Sequence, residues 1–500
     1  MLDSNHRDQN SLTMTIVNQY KKAVKGLILG AMALGTTLLF SCSKVNDQEP
    51  YTTLPPDAAF SNPERIEKSA IGMYDALQNA EFLGGRVLIY SDVRGNDVNP
   101  ASYFTQVPTF NMLSTINYAF NCWAGGYRTI FEANLFTNSL QANESVIGAE
   151  AAAVYYGEAK FLRSLAYFYL VNTYGHTYTY QPDAGQLGVP LVLQPDGVDA
   201  LDPKNKVPRS TVKQVYDQMI SDLNDAAAVL PEAWGDGFYD HARATKGAAH
   251  ALLSRIYLYM GDWARARDYA DSVLLSPVGY ELDATPQAVF SAGNYTSSSE
   301  RIFSVAMNAA DNPNTNNAIG QHYGANGRGD ITISGAYLAL PGFDTANDRR
   351  RTQLIQTVGS GSNATFYTRK FFGTSTFDSW VPIFRLAEIK LIKAEALARL
   401  STGAASPEAI TLVNEIRARA NATAIAPATQ AALIDAILVE RRIELAFEGH
   451  GEFDFLRTHR EIPARLPAHP AQAWDDDYSI FPIPFQEIQR NTTLIQNDGY

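Results

Sequence analysis

Apolar residues recur along much of this chain every third or fourth position, and the longest such windows carry no interior proline, a helical pattern. The clearest pair runs from Thr245 to Pro277. Ala248, Leu252 and Ile256 mark one helix, Gly261-Asp262 breaks it, and Ala266, Ala270 and Leu274 mark the next. So tight a turn forces antiparallel packing. Small facing residues, Trp263 after the turn and Pro277 at the stop give the pair a tetratricopeptide-like plan.

Ile389, Ile392, Ala396 and Leu400, then Ala409, Leu412, Val413 and Ile416, repeat that plan across the turn Ser401 to Pro407. Earlier helices are expected over Ile116 to Leu140 and Ala151 to Tyr174. The pairs are too far apart for a plain repeat array. Insertions rich in Gly, Asn, Ser, Thr and aromatics separate them, notably Glu81 to Phe110, Gly175 to Val207 and Tyr280 to Trp380. The expected fold is mainly α, with helix pairs scaffolding a loop-rich irregular region that holds a few short strands. Binding residues usually sit on such loops.

One hydrophobic run does not belong to this body. Lys21, Lys22 and Lys25 precede the weakly polar to apolar stretch Gly26 to Phe40, and Leu39-Phe40-Ser41-Cys42 follows the order of a bacterial lipoprotein signal. The apolar stretch is about 15 residues, short of the roughly 20 that span a bilayer. Residues 1–41 read as an N-terminal extension and cleaved signal, Cys42 as the lipidation site, 42–56 as a polar tether and 57–500 as one domain. Two or more acyl chains on Cys42 would anchor the body stably. The alternative is an ordinary secretory signal in which Cys42 is incidental.

Composition narrows the function. The chain is 46% apolar and only 18% charged, which indicates a large core. A net charge of −12 with no basic cluster excludes general polyanion binding, so no nucleic acid partner is expected. Apart from Cys42 the only cysteine is Cys122, read as a small buried residue.

Chemical motifs are sparse. Glu440, Glu444 and Glu448 fall on one helical face, where two of them could form an acid/base pair. Arg441 beside the stripe and Ile437 within it favour structural ion pairing. His450, Glu452, Asp454 and His459 lack metal-ligand spacing, and no HExxH occurs. Asp311 to Asn316 fails as an EF-hand because Pro313 takes the third ligand position. Arg328-Gly329-Asp330 is an adhesion tripeptide at chance level only. With no nucleophile elbow or Walker loop either, neither a cofactor nor catalysis is expected.

Several ordered motifs carry a family resemblance. Gly157-Glu158-Ala159-Lys160, Arg243-Ala244-Thr245-Lys246, Pro382-Ile383-Phe384-Arg385-Leu386-Ala387-Glu388, Asn414-Glu415-Ile416-Arg417, Glu440 to Gly449, Phe453-Asp454, Pro482-Ile483-Pro484 and Gln496-Asn497 resemble the SusD/RagB-type outer-membrane lipoproteins. The resemblance spans the chain after Cys42, with the N-terminal part of the family at about 57–275 and the C-terminal part at about 276–500. It implies about four tetratricopeptide-like helix pairs and attachment at the outer membrane of a Bacteroidetes-type bacterium. It further implies capture of an oligosaccharide, or alternatively an oligopeptide, for a SusC-like TonB-dependent transporter. A surface glycoside hydrolase and a plain tetratricopeptide scaffold are the rivals from other classes.

Sugars stack their C–H faces on aromatic rings and bond their hydroxyls to planar polar groups. Two loops combine these types, Asp92 to Phe104 and Tyr295 to Tyr337, and the resemblance places ligand contacts in the same two regions. The candidate contacts are Arg94, Asn96, Tyr103, Tyr323, Arg328 and Trp380. Trp234 is a further candidate for an exposed platform, whereas Trp123 and Trp263 are expected in the core.

Overall fold

A computed structural model describes residues 56–500 except 101, 105, 196–204, 344–345 and 466–468. The expected signal, the expected lipidation site Cys42 and the expected tether through residue 55 lie outside the described residues. Pro56–Ala59 is a single helical turn of the leading segment. Phe60–Tyr500 forms one compact unit, which holds all the remaining elements.

The long helices are α1 (Pro63–Asp75), α2 (Arg86–Arg94), α3 (Asn117–Asn143), α4 (Ala149–Tyr174), α5 (Val212–Val229), α6 (Lys246–Met260) and α7 (Trp263–Leu274). After a short α8 (Ile319–Tyr323) come α9 (Leu386–Leu400), α10 (Pro407–Arg419), α11 (Gln430–Leu445) and α12 (Gly451–Arg457). Helices α3 to α7 each pack on the next, α7 passes the stack to α9, and α9 packs on α10 and α11. The result is the expected run of helix pairs.

Local chemistry sets the ends. Thr245 caps α6 by accepting from the Ala248 N–H at 3.2 Å, and Gly261 closes it at φ +73°. Asp262 then caps α7, so the break read from Gly261-Asp262 is a C-cap followed at once by an N-cap. The insides of this pair, Leu252, Ile256, Ala266 and Ala270, are wholly buried.

The segments between helices form short antiparallel strand pairs in place of a larger sheet. Strand β1 (Val98–Pro100) pairs with β5 (Ile331–Ile333), β2 (Leu187–Pro190) with β3 (Arg209–Thr211), β4 (Arg301–Val305) with β8 (Val381–Arg385), and β6 (Ile355–Val358) with β7 (Thr365–Thr368). The β1–β5 register sets Val98 opposite Ile333 and Pro100 opposite Ile331, which clamps the two Asn- and Tyr-rich loops together.

The glutamate stripe is structural. Glu440 pairs with Arg350 and with Arg417 at 2.5 Å, and Glu444 pairs with Arg385 at 2.6 Å and with Arg419. Glu448 pairs with Lys370 and Arg385, both at 2.7 Å. Burial alone would raise the Glu448 carboxyl, but Arg385 and Lys370 outweigh it and hold it at about 2. Every carboxylate of the stripe is consumed by protein cations.

The other motifs behave alike. Glu158 pairs with Arg243 at 2.6 Å, Glu388 with Arg255 at 2.6 Å, Glu395 with Arg457 at 2.8 Å and Asp454 with Arg441 at 3.0 Å. Removing one partner of such a pair leaves an uncompensated interior charge, which costs far more than the pair contributes. These motifs fix helix against helix.

One element departs from expectation. Arg86–Arg94 lies within the expected loop Glu81 to Phe110, yet it is a helix whose nine residues are all buried. A segment enclosed on every side has no polar face, so its sequence shows no amphipathic rhythm. Trp263 is half-buried with the Arg399 guanidinium 5.0 Å from its ring, at the edge of the core.

Candidate functional site

Helix α2 presents Arg86 to both loops at once. Its Nη2 donates to the Tyr103 hydroxyl at 3.0 Å, to the Asn316 carbonyl at 3.2 Å and to the Asn317 Oδ1 at 3.1 Å, while Nη1 lies 3.7 Å from Glu81. The guanidinium fork suits this task because it holds several donors in one plane. From the other side the Tyr118 hydroxyl donates to the Tyr103 carbonyl. Tyr103 is thereby fixed in ring and backbone.

The Arg328 guanidinium lies 4.5 Å from the Tyr103 ring centroid, a cation–π contact. Its Nε donates to Asp330 at 2.7 Å and its Nη1 to the Asn316 Oδ1 at 3.1 Å, yet 31% of the side chain remains open to solvent. Asp330 also takes the His322 Nδ1–H at 2.8 Å. Burial alone would raise the Asp330 carboxyl, but its bonds to His322 and Arg328 hold it below the ordinary range. Burial lowers His322, and its Nδ1–H orients Asp330. The solvent-facing part of the cluster is a planar cation on an aromatic ring, flanked by exposed Asn316.

The loop before α8 braces itself. The Asn308 Oδ1 accepts from the N–H groups of Ala310 at 2.8 Å and Asp311 at 3.0 Å, and the Asn312 Nδ2 returns to the Asn308 carbonyl at 2.9 Å. Its far end reaches Arg86 and Arg328. Its near end borders an open polar cleft of about 440 Å³ lined by Asp75, Gln78, Asn79, Arg128, Asp311 and Asn312. Amide, carboxylate and guanidinium planes of this kind bond hydroxyl-rich ligands.

Of the six expected contacts, the structure brings Tyr103 and Arg328 together and encloses the other four. Arg94 is fully buried, pairs with Glu452, donates to the Tyr478 carbonyl at 2.8 Å and lies 4.3 Å over Phe110. Asn96 is 5% exposed, and its carbonyl accepts from Ser334 at 2.8 Å. Tyr323 donates to Asp92 at 2.6 Å and stacks on Phe371 at 5.4 Å. Trp380 donates to the Met307 carbonyl at 2.9 Å and stacks on Tyr295 at 5.2 Å. These four hold the loops down from inside, which corrects the expectation that they face a ligand.

Trp234 is half-buried, its indole donating to the Ala244 carbonyl at 3.1 Å and its ring covered by Arg243 at 3.7 Å. It is no open platform. The residues that hold this cluster in place, Arg86, Tyr118, Asn316, Asn317 and Asp330, were not among the sequence candidates. Only the density of Asn between 308 and 317 signalled any of them.

Beneath this surface sits an acid out of its usual range. Burial pushes the Asp92 carboxyl up to about 7, against the lowering effects of the Tyr323 hydroxyl and the Gly449 N–H at 3.2 Å. A carboxyl raised on folding contributes stability that is full below its unfolded pKa of about 3.9 and is lost as pH rises through about 7. Asp92→Asn cannot titrate. Its melting temperature relative to the parent is therefore expected to improve between about pH 5 and about pH 8, and thermal unfolding of both proteins at the two pH values checks it. A gap independent of pH would contradict the assignment.

Among the described residues no group of three His, Cys, Asp or Glu side chains is placed to hold a metal ion, and no helix is long and apolar enough to cross a membrane.

Two family matches cover most of the chain. Residues 46–258 match the family described as starch-binding associating with outer membrane, and residues 342–500 match the SusD family. SusD-like protein P2 of Formosa agariphila is 26% identical over 92% of this chain and 97% of its own length. The starch-binding protein SusD of Bacteroides thetaiotaomicron is 32% identical over a shorter stretch, 25% of this chain and 22% of that protein. Among solved structures, a SusD superfamily protein of Bacteroides fragilis superposes with a TM-score of 0.77 at 29% identity, covering 87% of this chain and 99% of that one. A second, from Bacteroides vulgatus, gives 0.74 at 26% over 87% and 99%. The ordered motifs, both sequence matches and the shared helical scaffold agree, and the chain belongs to the SusD/RagB family.

Proposed function

We propose that this protein captures an oligosaccharide at the outer membrane and passes it to a SusC-like TonB-dependent transporter, binding it without cleaving it. The observation that carries this reading is the solvent-open Arg328 guanidinium seated on Tyr103 and framed by asparagines, on loops that Arg86 and the β1–β5 pair hold rigid. Rigid planar groups bind sugar at low entropic cost, since little is ordered on association. The starch-binding relative supports a glycan as the ligand class. In this reading Cys42 carries the lipid that holds the protein at the membrane surface.

Catalysis has no support from the glutamate stripe. Glycoside hydrolysis needs two carboxylates facing a sugar across a cleft, and the stripe that could offer such a pair is closed by Arg350, Arg385, Arg417, Arg419 and Lys370. The test is a calorimetric screen of the protein against starch, plant, host and microbial oligosaccharides beside a casein peptide mixture, with chromatography of each glycan afterwards. A glycan that binds and is recovered intact is the expected result. Binding confined to peptides, or a shortened glycan, would overturn the reading.

A further inference from the structure

A second cleft adjoins the polar one and differs from it in chemistry. It has a volume of about 290 Å³ and lies between α1, the single-turn helix Tyr239–Ala242 and the end of β4. Asp75, Gln78 and Asp311 line both clefts, so the two adjoin. Ile71, Leu77, Val305, Met307, Phe238 and Tyr239 form the walls of the second. Phe238, which lines the cleft, is 45% exposed.

Several of the polar groups that line this cleft are already engaged. The Tyr74 hydroxyl donates to Glu158 at 2.6 Å and accepts from the Ala244 N–H at 2.9 Å, and Arg243 pairs with the same glutamate. The Gln78 Nε2 donates to the Ala306 carbonyl at 2.8 Å. A bare sugar ring placed here would bury hydroxyls that find few partners, which is unfavourable, whereas an apolar group gains by leaving water.

Gly72 supplies an independent observation. It stands in the interior of α1, where glycine is destabilising relative to alanine, and a Cβ added there would meet no atom within 4 Å. Gly125, Gly126 and Gly157 differ, since their added Cβ atoms would strike neighbouring side chains at 2.7 to 2.8 Å. Packing therefore explains those three glycines and does not explain Gly72. What Gly72 does is leave the cleft wall open, on the helix face shared by Lys68, Ile71 and Asp75.

We propose that this cleft is a subsite for an apolar substituent on a glycan, an acyl or aryl group, while the adjoining polar cleft takes the sugar that bears it. The volume sits at the lower end of small-ligand pockets, enough for one such group. A peptide side chain fits less well, because a peptide would also pair with a strand edge, and here the Ala306 and Met307 carbonyls are already taken by Gln78 and Trp380. The inference rests on the capture reading for the sugar and adds the kind of sugar captured.

The experiment titrates the protein with para-nitrophenyl β-glucoside, methyl β-glucoside and N-acetylphenylalaninamide, followed by calorimetry and by tryptophan fluorescence. One of the five tryptophans borders the cleft, since the Trp380 ring meets Phe238 edge-on at 5.3 Å. The nitrophenyl glucoside is expected to bind about tenfold or more tightly than the methyl glucoside. Gly72→Leu, which fills the cleft and favours the helix, should abolish that difference with the melting temperature kept or raised. Phe238→Ala should reduce it without filling anything. Equal affinity for the two glucosides, full nitrophenyl binding by Gly72→Leu, no nitrophenyl binding up to its solubility limit, or tighter binding of the phenylalanine amide would each overturn the subsite. A glycan from the screen that binds the parent while the nitrophenyl and methyl glucosides bind alike would leave the capture reading standing while this one falls.

Discussion

Arg385→Leu is expected to destabilise the protein by about 3–5 kcal/mol, a large share of the roughly 5–15 kcal/mol that holds a typical domain folded. Arg385 is 2% exposed and donates to Glu300 at 2.9 Å, to Glu444 at 2.6 Å, to both oxygens of Glu448 at 2.7 and 2.8 Å, and to the Glu444 carbonyl at 2.7 Å. Leucine fills part of the space and supplies none of those donors. Arg350, Arg419 and Lys370 remain, but they already serve Asp348, Glu300 and Glu448, so the carboxylates left behind keep too little positive charge in a dry interior. Urea unfolding followed by circular dichroism checks this. The control is Arg267→Leu, which removes an exposed pair with Asp268 and should shift the midpoint little. A small effect at Arg385 would mean that β8 and α11 are held together by apolar packing, with the ion network incidental to it.

That network also marks where sequence reading stops. The pair α6–α7 was legible because everything that defines it is local: the apolar spacing, the cap at Thr245 and the positive-φ stop at Gly261 lie within one short stretch. The glutamate stripe on α11 was legible as a compensated face, though its partners were not. Arg350 reaches Glu440 across 90 positions and Arg385 reaches Glu444 across 59, and no local pattern encodes such distances. Helix α2 went unseen for a related reason, since its charged ends Arg86 and Arg94 read as loop chemistry until Glu81, Tyr103 and Glu452 are brought alongside. The two Asn- and Tyr-rich loops were legible as a pair from their composition, and the β1–β5 register joins them. Which side chain points outward is another matter. Arg94 and Arg328 are the same residue type in similarly polar company, and only tertiary packing puts one under Phe110 and the other over Tyr103.

The consequence of that difference is testable at Arg328 itself. For a glycan found by screening, Tyr103→Ala and Arg328→Ala are each expected to weaken binding by about 10- to 100-fold, equivalent to about 1.4–2.8 kcal/mol. The two substitutions should be far from additive, because each removes one half of a single stacked unit. Arg328→Lys separates charge from shape. Lysine keeps the positive charge but loses the planar fork that meets Asp330 and Asn316 together, so it should bind nearly as poorly as alanine if the guanidinium plane is what the sugar meets. If lysine restores binding, the contribution is electrostatic and the ligand must carry negative charge, as an acidic polysaccharide would. Since Arg328 is partly open to solvent, its two substitutions should not move the melting temperature much, and a loss of binding without a loss of stability is the signature of a contact residue. Should all three variants bind as the parent does, the contact lies instead at the near end of the same loop, where Asn79, Arg128 and Asn312 line the polar cleft, and Tyr103 and Arg328 serve only to hold that loop in place.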